Sequence, residues 1–283
     1  MAARTRHGSK THTRPVKPSN TLNCALTIAG SDSGGGAGIQ ADLKAFAAIG
    51  VHGTSAITCI TAQNPAQVTG IQPIRADMVQ RQIEAVFDEL PPDAVKTGML
   101  FSTDIIRVVV KFFSTGKRSP LVVDPVMVST SGARLLKPSA VKAIQLELLP
   151  LATIVTPNLD EAEILVGRKL RVPEDLRMAA RVIHERFGCA ALVKGGHLRG
   201  SRDAIDIFFD GKNELLLSAP FVKGISTHGT GCTYSAAIVA HLATGIGLPA
   251  AVQRAKEYVT RAIHGSRQVR GHWTLNHDAE QTG

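Results

Sequence analysis

Two glycine-rich segments carry residue types and spacings suited to handling an anion. The first, Thr227-His228-Gly229-Thr230-Gly231-Cys232, precedes a run of small apolar residues from Thr233 to Ala243 that reads as a buried helix. Glycines let the backbone turn tightly and approach a ligand closely. A helix that starts there directs free N–H groups and the positive end of its dipole into the turn. The product is an anion hole, fit for a phosphate or for the charge that develops in phosphoryl transfer. Cys232 at the helix start sits where a thiolate is stabilised. The second segment, Gly30 to Asp42, follows the apolar run Cys24–Gly30 and precedes a helical pattern from Ile39 to Ile49. Gly34 and Gly36 fit the start of a dinucleotide fingerprint, but Ile39 occupies the third glycine position. Neither Gly-Lys pair, at 116–117 and 211–212, is followed by Ser or Thr, so there is no P-loop.

Apolar stretches must hold these loops in place. Val51–Thr61, Ala94–Thr97, Leu121–Val123, Thr153–Val155 and Ala190–Val193 read as strands. Ala76–Glu89, Thr103–Phe113, Ser139–Leu148, Leu159–Val166 and Glu174–Phe187 read as the helices between them. Such alternation predicts an α/β fold, a mainly parallel sheet covered by helices on both faces. Ligands in such sheets sit at the carboxyl ends of the strands. Polar residues fall where that rule wants them. Asp124 ends one strand, where a carboxylate suits a hard cation or a turn before Pro125. Lys194 ends another, as a counter-charge to phosphate or a snorkelling surface cation. Asn158 and Glu161 have the spacing of a helix cap.

Seven motifs follow one another in order: Gly30–Lys44, Ala62-Gln63-Asn64, Lys96–Leu100, Asp124–Met127, Thr156–Ala162, Lys194–His197 and Thr227–Cys232. Together, over about Asn23–Ile263, they resemble the hydroxymethylpyrimidine/phosphomethylpyrimidine kinases of thiamine biosynthesis, members of the ribokinase-like superfamily. The resemblance implies a ribokinase-like three-layer sandwich that moves the γ-phosphoryl group of ATP to 4-amino-5-hydroxymethyl-2-methylpyrimidine, then to its monophosphate. It implies an anion hole at Gly229, Thr230 and Gly231, with Cys232 standing where most ribokinase-like enzymes carry an aspartate base. On the substrate side it implies Gln63, Asp42, Gly30, Met99 and Val126. Gln63 reads the ring through an amide that is donor and acceptor at once, and Asp42 lies near the hydroxymethyl group. On the ATP side it implies Asn158, Glu161, Lys194 and Asp124. Mg²⁺ is held through Asp124 and Glu161, mostly by way of water. A homodimer is implied as well. The close alternative is a pyridoxine/pyridoxal kinase, whose substrate is also a methylated nitrogen heterocycle with a hydroxymethyl arm. A non-catalytic ligand sensor on the same fold is a reading from another class. The sequence Gly271-His272-Trp273 departs from the Gly-His-Gly tail common in the family.

Composition excludes other classes. The chain has 283 residues, 44% of them hydrophobic, enough to bury one large core. Of the net charge of +9, residues 1–20 supply five, which leaves the rest mildly basic. With only 4% aromatic residues, stacking platforms for nucleic acid are scarce. No run is long and apolar enough for a membrane span, and no secretory signal is visible. Four dispersed cysteines without a C-x-x-C pair read as reduced thiols in a cytoplasmic setting. The expected organisation is a disordered basic tail over 1–20, a kinase domain over 21–270 and a C-terminal tail over 271–283. The basic tail admits an organellar-import reading too.

Overall fold

The computed structural model describes residues 21–115, 119–128, 136–196, 198, 203–222, 224 and 228–278. The basic tail over 1–20, Thr227 and His197 lie outside them. A nine-stranded sheet forms the middle layer, in the order β3-β2-β1-β4-β5-β6-β7-β8-β9. Its inner strands are β2 (His52–Gln63), β1 (Cys24–Asp32), β4 (Ala94–Thr97), β5 (Leu121–Val123), β6 (Ile154–Val155) and β7 (Ala190–Lys194). These six are parallel. β3 (Val68–Pro73), β8 (Asp203–Phe209) and β9 (Glu214–Pro220) run antiparallel at the two edges. The sequence reading missed these edges, because their mixed polar and apolar patterns lack the continuous apolar run of a doubly covered strand.

Period-two alternation deals each inner strand's side chains to two cores. Leu26, Ile28, Val95, Leu121, Val123, Ala191 and Val193 face one core. There they meet α2 (Ala76–Glu89), α3 (Thr103–Ser114), α4 (Pro138–Ala143), α5 (Leu159–Val166) and α6 (Pro173–Phe187). Ala25, Ala94, Val122, Ala190 and Leu192 face the other. They pack on α1 (Gly38–Ala48), α7 (Thr230–Ala243) and α8 (Leu248–His264). The expected three-layer sandwich is therefore present. α4 continues as a π-helical turn over Ile144–Leu148, so the single helix expected there is two geometries end to end.

Two boundaries differ from the sequence reading. α7 starts at Thr230, not Thr233, with Gly229 as its N-cap in the left-handed region at φ +83°. A Cβ at Gly229 would sit on the Gly36 carbonyl oxygen, so the two glycine loops touch and only glycine fits. Residues 271–278 are not a loose tail. β10 (Arg267–Val269) and β11 (His272–Thr274) form a hairpin that returns the chain to the body, where Leu275 and His277 are buried. No helix among the described residues is long and apolar enough to cross a membrane.

His241 is buried within α7, and burial together with Arg254 and Arg261 of α8 pushes its imidazole down to about 4. Its folded value lies below the unfolded value of 6.5, so the unfolded chain holds the proton more tightly. Stability should fall as pH drops from 6.5 towards about 4. The loss from this group is at most about 3 kcal/mol. His241→Leu should flatten that part of the melting temperature profile. An equally steep profile in the variant would assign the loss to other groups.

Candidate active site

The carboxyl ends of β1, β4, β5, β6 and β7 open into one cavity of about 630 Å³, roofed by the first turn of α7. That turn is built to receive an anion. No side chain caps it, so the N–H groups of Thr230, Gly231 and Cys232 stay available. The buried Thr230 hydroxyl has no partner among the described residues, and Thr230 is one of the residues lining the cavity.

Three lysine–aspartate pairs run along the cavity. Lys96 of β4 and Asp42 of α1 are wholly buried, with Nζ 2.8 and 2.9 Å from the two carboxylate oxygens. Thr27 of β1 donates to the same carboxylate at 2.6 Å. Burial alone would drive the proton off Lys96, but Asp42, Cys232 and Asp124 outweigh it and hold the ammonium above its ordinary value. Lys194 lies 3.4 Å from Asp124, whose other oxygen accepts the Ser235 hydroxyl at 3.0 Å. Lys256 of α8 lies 2.8 Å from Asp206 of β8, and Asp206 also accepts the Gly195 N–H at 3.1 Å. The pairs differ in use. The first is closed and dry, whereas the long contact of the second leaves Lys194 with donor capacity facing the cavity.

Cys232 lies between the two glycine loops, half-buried, and accepts a hydrogen bond from the Gly38 backbone. The expectation of a stabilised thiolate is not met. Burial pushes the thiol up to about 11. Lys96 acts against that rise, but Asp42 and Asp124 add to it. A desolvated sulfur and two negative neighbours outweigh Lys96 and the helix dipole.

Asn158 and Glu161 form a full capping box on α5. Both Glu161 oxygens are engaged by backbone, one accepting Asn158 N–H at 2.9 Å and the other Met127 N–H at 3.0 Å. Burial raises this carboxyl to about 7, with Lys194 opposing and Asp124 reinforcing. The bond to Met127 spans to the loop after β5, where Val126 holds φ +40° and faces the cavity. That region is unfavourable for a β-branched residue and costs about 1–3 kcal/mol, so the surroundings must enforce it. Glu161 is one such clamp.

On the opposite wall, Gln63 ends β2 with its backbone locked to the Ser33 hydroxyl by two bonds of 2.7 and 2.8 Å. Its amide accepts the Thr61 hydroxyl at 3.2 Å and stands 3.4 Å from His228 Nε2. Met99 and Gly30 line the wall beneath. A Cβ at Gly30 would lie 2.7 Å from Cys59 Sγ and 3.1 Å from Met99 Cε, so the strand can approach a flat ligand only as glycine. The first glycine loop is not a phosphate cradle. Its amides at Gly34, Gly36 and Ala37 wrap the Asp32 carboxylate at 2.8, 3.2 and 2.8 Å. Burial works to raise that carboxyl, but the bonds from His228 and the loop prevail and lower it.

The cavity thus brings together Gly30, Gln63, Met99, Asp124, Val126, Asn158, Glu161, Lys194 and the turn Gly229–Cys232. Asp42 is not on its wall: it points into the sheet and is consumed by Lys96 and Thr27. Sequence reasoning left Lys96, Asp32, His228, Ser235, Asp206 and Lys256 without roles. Lys96 did leave a signal, a lysine inside the short apolar strand Ala94–Thr97, where lysine is hardly ever buried unless paired.

The chain is similar to known proteins over most of its length. A family model described as phosphomethylpyrimidine kinase matches residues 32–276. A hydroxymethylpyrimidine/phosphomethylpyrimidine kinase of Rhizobium meliloti is 51% identical over 247 residues, 87% of this chain and 92% of the relative. A thiamine biosynthesis bifunctional protein of Geobacter sulfurreducens is 46% identical over 89% of this chain, which spans 51% of that relative's length. Among solved structures, an ADP complex of Bacillus subtilis pyridoxal kinase superposes with a TM-score of 0.84 at 38% identity. It covers 92% of this chain and 98% of its own.

The buried pair makes a separable prediction. Asp42→Asn strands the Lys96 ammonium and should cost about 3–5 kcal/mol in urea unfolding. Asp42→Leu combined with Lys96→Met should regain most of that stability, while phosphoryl transfer stays depressed. A double variant with wild-type turnover would reduce the pair to scaffolding.

Proposed function

The chain belongs to the phosphomethylpyrimidine kinase family, and from that premise we infer that it phosphorylates 4-amino-5-hydroxymethyl-2-methylpyrimidine, and then the monophosphate, at the expense of ATP. The observation that carries this reading is the uncapped first turn of α7, set between the amide of Gln63 and the ammonium of Lys194. In this reading the pyrimidine lies flat on Gly30 between Met99 and Val126. Gln63 meets a ring nitrogen and the exocyclic amine, and the hydroxymethyl arm reaches towards Cys232. The ATP phosphates lie towards Lys194 and Asn158.

The chemistry is a displacement at the γ-phosphorus. The bond to the bridging oxygen of ADP breaks, the bond to the acceptor oxygen forms, and the acceptor proton leaves. Free N–H groups of Thr230, Gly231 and Cys232 meet the charge that spreads over the transferring group. Lys194 neutralises the donor phosphates, and the ammonium of Lys96, paired with Asp42, lies beneath Gly98. Mg²⁺ is part of the proposal, with Asp124 as its protein carboxylate and Glu161 acting through water. The donors fit: Asp124 is a hard oxygen ligand beside the cavity, and the backbone already engages both oxygens of Glu161. The ion's contribution is to neutralise phosphate charge and hold the oxygens in line. Assembly as a homodimer belongs to the same proposal, supported by the exposed apolar residues Ile60, Val68 and Ile71 at the β2–β3 edge.

The test is a coupled assay with the pyrimidine and with pyridoxal. Turnover of the pyrimidine through to the diphosphate is expected, and turnover of pyridoxal alone would overturn the reading. Gln63→Leu should raise the pyrimidine KM about tenfold or more, because a buried amine loses its partner, while the ATP KM stays put. A second variant asks where the acceptor proton goes. Cys232→Ala should lower kcat by about 10²–10⁴-fold with nucleotide affinity intact. A near wild-type kcat would leave catalysis to the anion hole and the two lysines.

A further inference from the structure

The first turn of α7 faces a structural conflict. Its amides must stay free for an incoming anion, so no side chain caps them, and two glycines within four residues deprive the turn of rigidity. Something outside the turn must hold it. Ser235 contributes to this, its hydroxyl lying 3.0 Å from Asp124 and 2.9 and 3.1 Å from the Gly231 and Cys232 carbonyls of the turn. On the opposite flank the Thr233 hydroxyl lies 3.1 Å from Nε2 of His277, and both groups are buried. His277 is delivered by the segment after β11. Leu275 is buried, Asn276 N–H donates to the Ala262 carbonyl at 3.1 Å, and the Tyr258 hydroxyl donates to the His277 carbonyl at 3.0 Å. The ring also bonds the Leu275 backbone. A ring that donates to the Leu275 carbonyl through its other nitrogen is the neutral tautomer whose Nε2 accepts from Thr233, and the proposal takes that tautomer. Lys44 of α1 stands near the ring, and its own ammonium donates to the Gly35 carbonyl at 2.8 Å.

We propose that His277 is a positioning residue for phosphoryl transfer: through Thr233 it pins the outer flank of the anion-binding turn, so that the C-terminal segment is part of the active-site architecture. The proposal rests on the reading of that turn as the phosphoryl-transfer site. It also gives the departing sequence after Gly271 a task. The hairpin's own side chains need only return the chain, while Leu275, Asn276 and His277 make the connection.

Three variants test this, each read by kcat, by KM for the pyrimidine, by thermal melting and by the rate at which iodoacetamide alkylates Cys232. His277→Leu should lower kcat about tenfold with the pyrimidine KM unchanged, and should change the Cys232 alkylation rate several-fold. His277→Gln, whose amide can still accept from Thr233, should recover most of both. Thr233→Val should reproduce the loss, and adding it to His277→Leu should cost nothing more. Unchanged kcat and alkylation in a folded His277→Leu protein would overturn the proposal, as would losses that add in the double variant. If His277→Leu does not fold, Thr233→Val decides alone, since it keeps the shape of the side chain and removes only the hydroxyl. The alkylation rate is read without any substrate. A wild-type protein that fails to phosphorylate the pyrimidine therefore defeats the functional reading, while the alkylation comparison still judges the role of His277.

Discussion

The wholly buried contact between Lys96 and Asp42 is the constraint around which the site is arranged. Removing two charges from water costs several kcal/mol per ion, and only close, fully hydrogen-bonded geometry offsets it. The chain meets that condition by alternation. Ala94 and Lys96 share one face of β4, as Ala25 and Thr27 share one face of β1, and that face looks towards α1 and α7. Asp42, one turn into α1, then meets Lys96 and Thr27 together. A pair of this kind adds little to stability over apolar residues of the same volume. Its value lies in what it fixes: the start of α1 against β1 and β4. Gly38 and Gly98 are both glycines for the same reason. A Cβ at Gly38 would come within 2.4 Å of the Gly30 carbonyl oxygen, and one at Gly98 within 2.9 Å of Ala29 Cβ.

The same residue pair recurs along the sheet with a graded geometry. Lys96–Asp42 is closed, Lys194–Asp124 is stretched and borders the cavity, and Lys256–Asp206 is tight again but bonded to the Gly195 loop. Electrostatic complementarity to a polyphosphate requires cations that are both near and not already neutralised. Only the middle pair meets both conditions. The flanking pairs hold backbone, one at α1 and one at the loop after β7, so that the middle lysine projects from a rigid base. Preorganisation of this sort is where most electrostatic catalysis originates, because no reorganisation is left for the reacting state.

Much of this was legible in the chain. The layer order and the inner strands follow from apolar runs of strand length separated by helical periodicity, as at Ala94–Thr97 and Ala190–Val193. Residues at strand ends, such as Asp124 and Lys194, inherit their place from that topology, so topology alone brings them to the cavity. Asp42 shows the limit. Its position early in a helix after a glycine loop looks like a ligand contact, but which way a helical side chain points depends on the partner across the interface. That partner is 54 residues away. Asp32 is the converse: nothing in its spacing says that the glycine loop will fold around its carboxylate instead of a phosphate. His277 was invisible because its partner Thr233 is distant and because the segment lacks any periodicity. Helix α7 began three residues early because a glycine at the N-cap, in the left-handed region, lets the first turn start inside the glycine motif itself.

The thiol of Cys232 then poses a problem about timing. A group pushed up to about 11 is protonated at neutral pH and cannot deprotonate an alcohol before reaction. A loose phosphoryl-transfer transition state does not ask for that. The bond to the leaving oxygen is largely broken before the acceptor oxygen commits, so the acceptor hydroxyl becomes acidic only late. A neutral thiol cannot take a second proton, so Cys232 takes the acceptor proton only as a thiolate, after its own proton has left to solvent. Burial first, and then Asp42 and Asp124, favour the neutral sulfur. Lys96 acts, with the Gly38 amide, to favour the thiolate. Any ligand that engages Asp124 or screens it removes part of the opposition. The Lys96–Asp42 pair sets the charge balance at the sulfur, Lys96 favouring the thiolate and Asp42 opposing it.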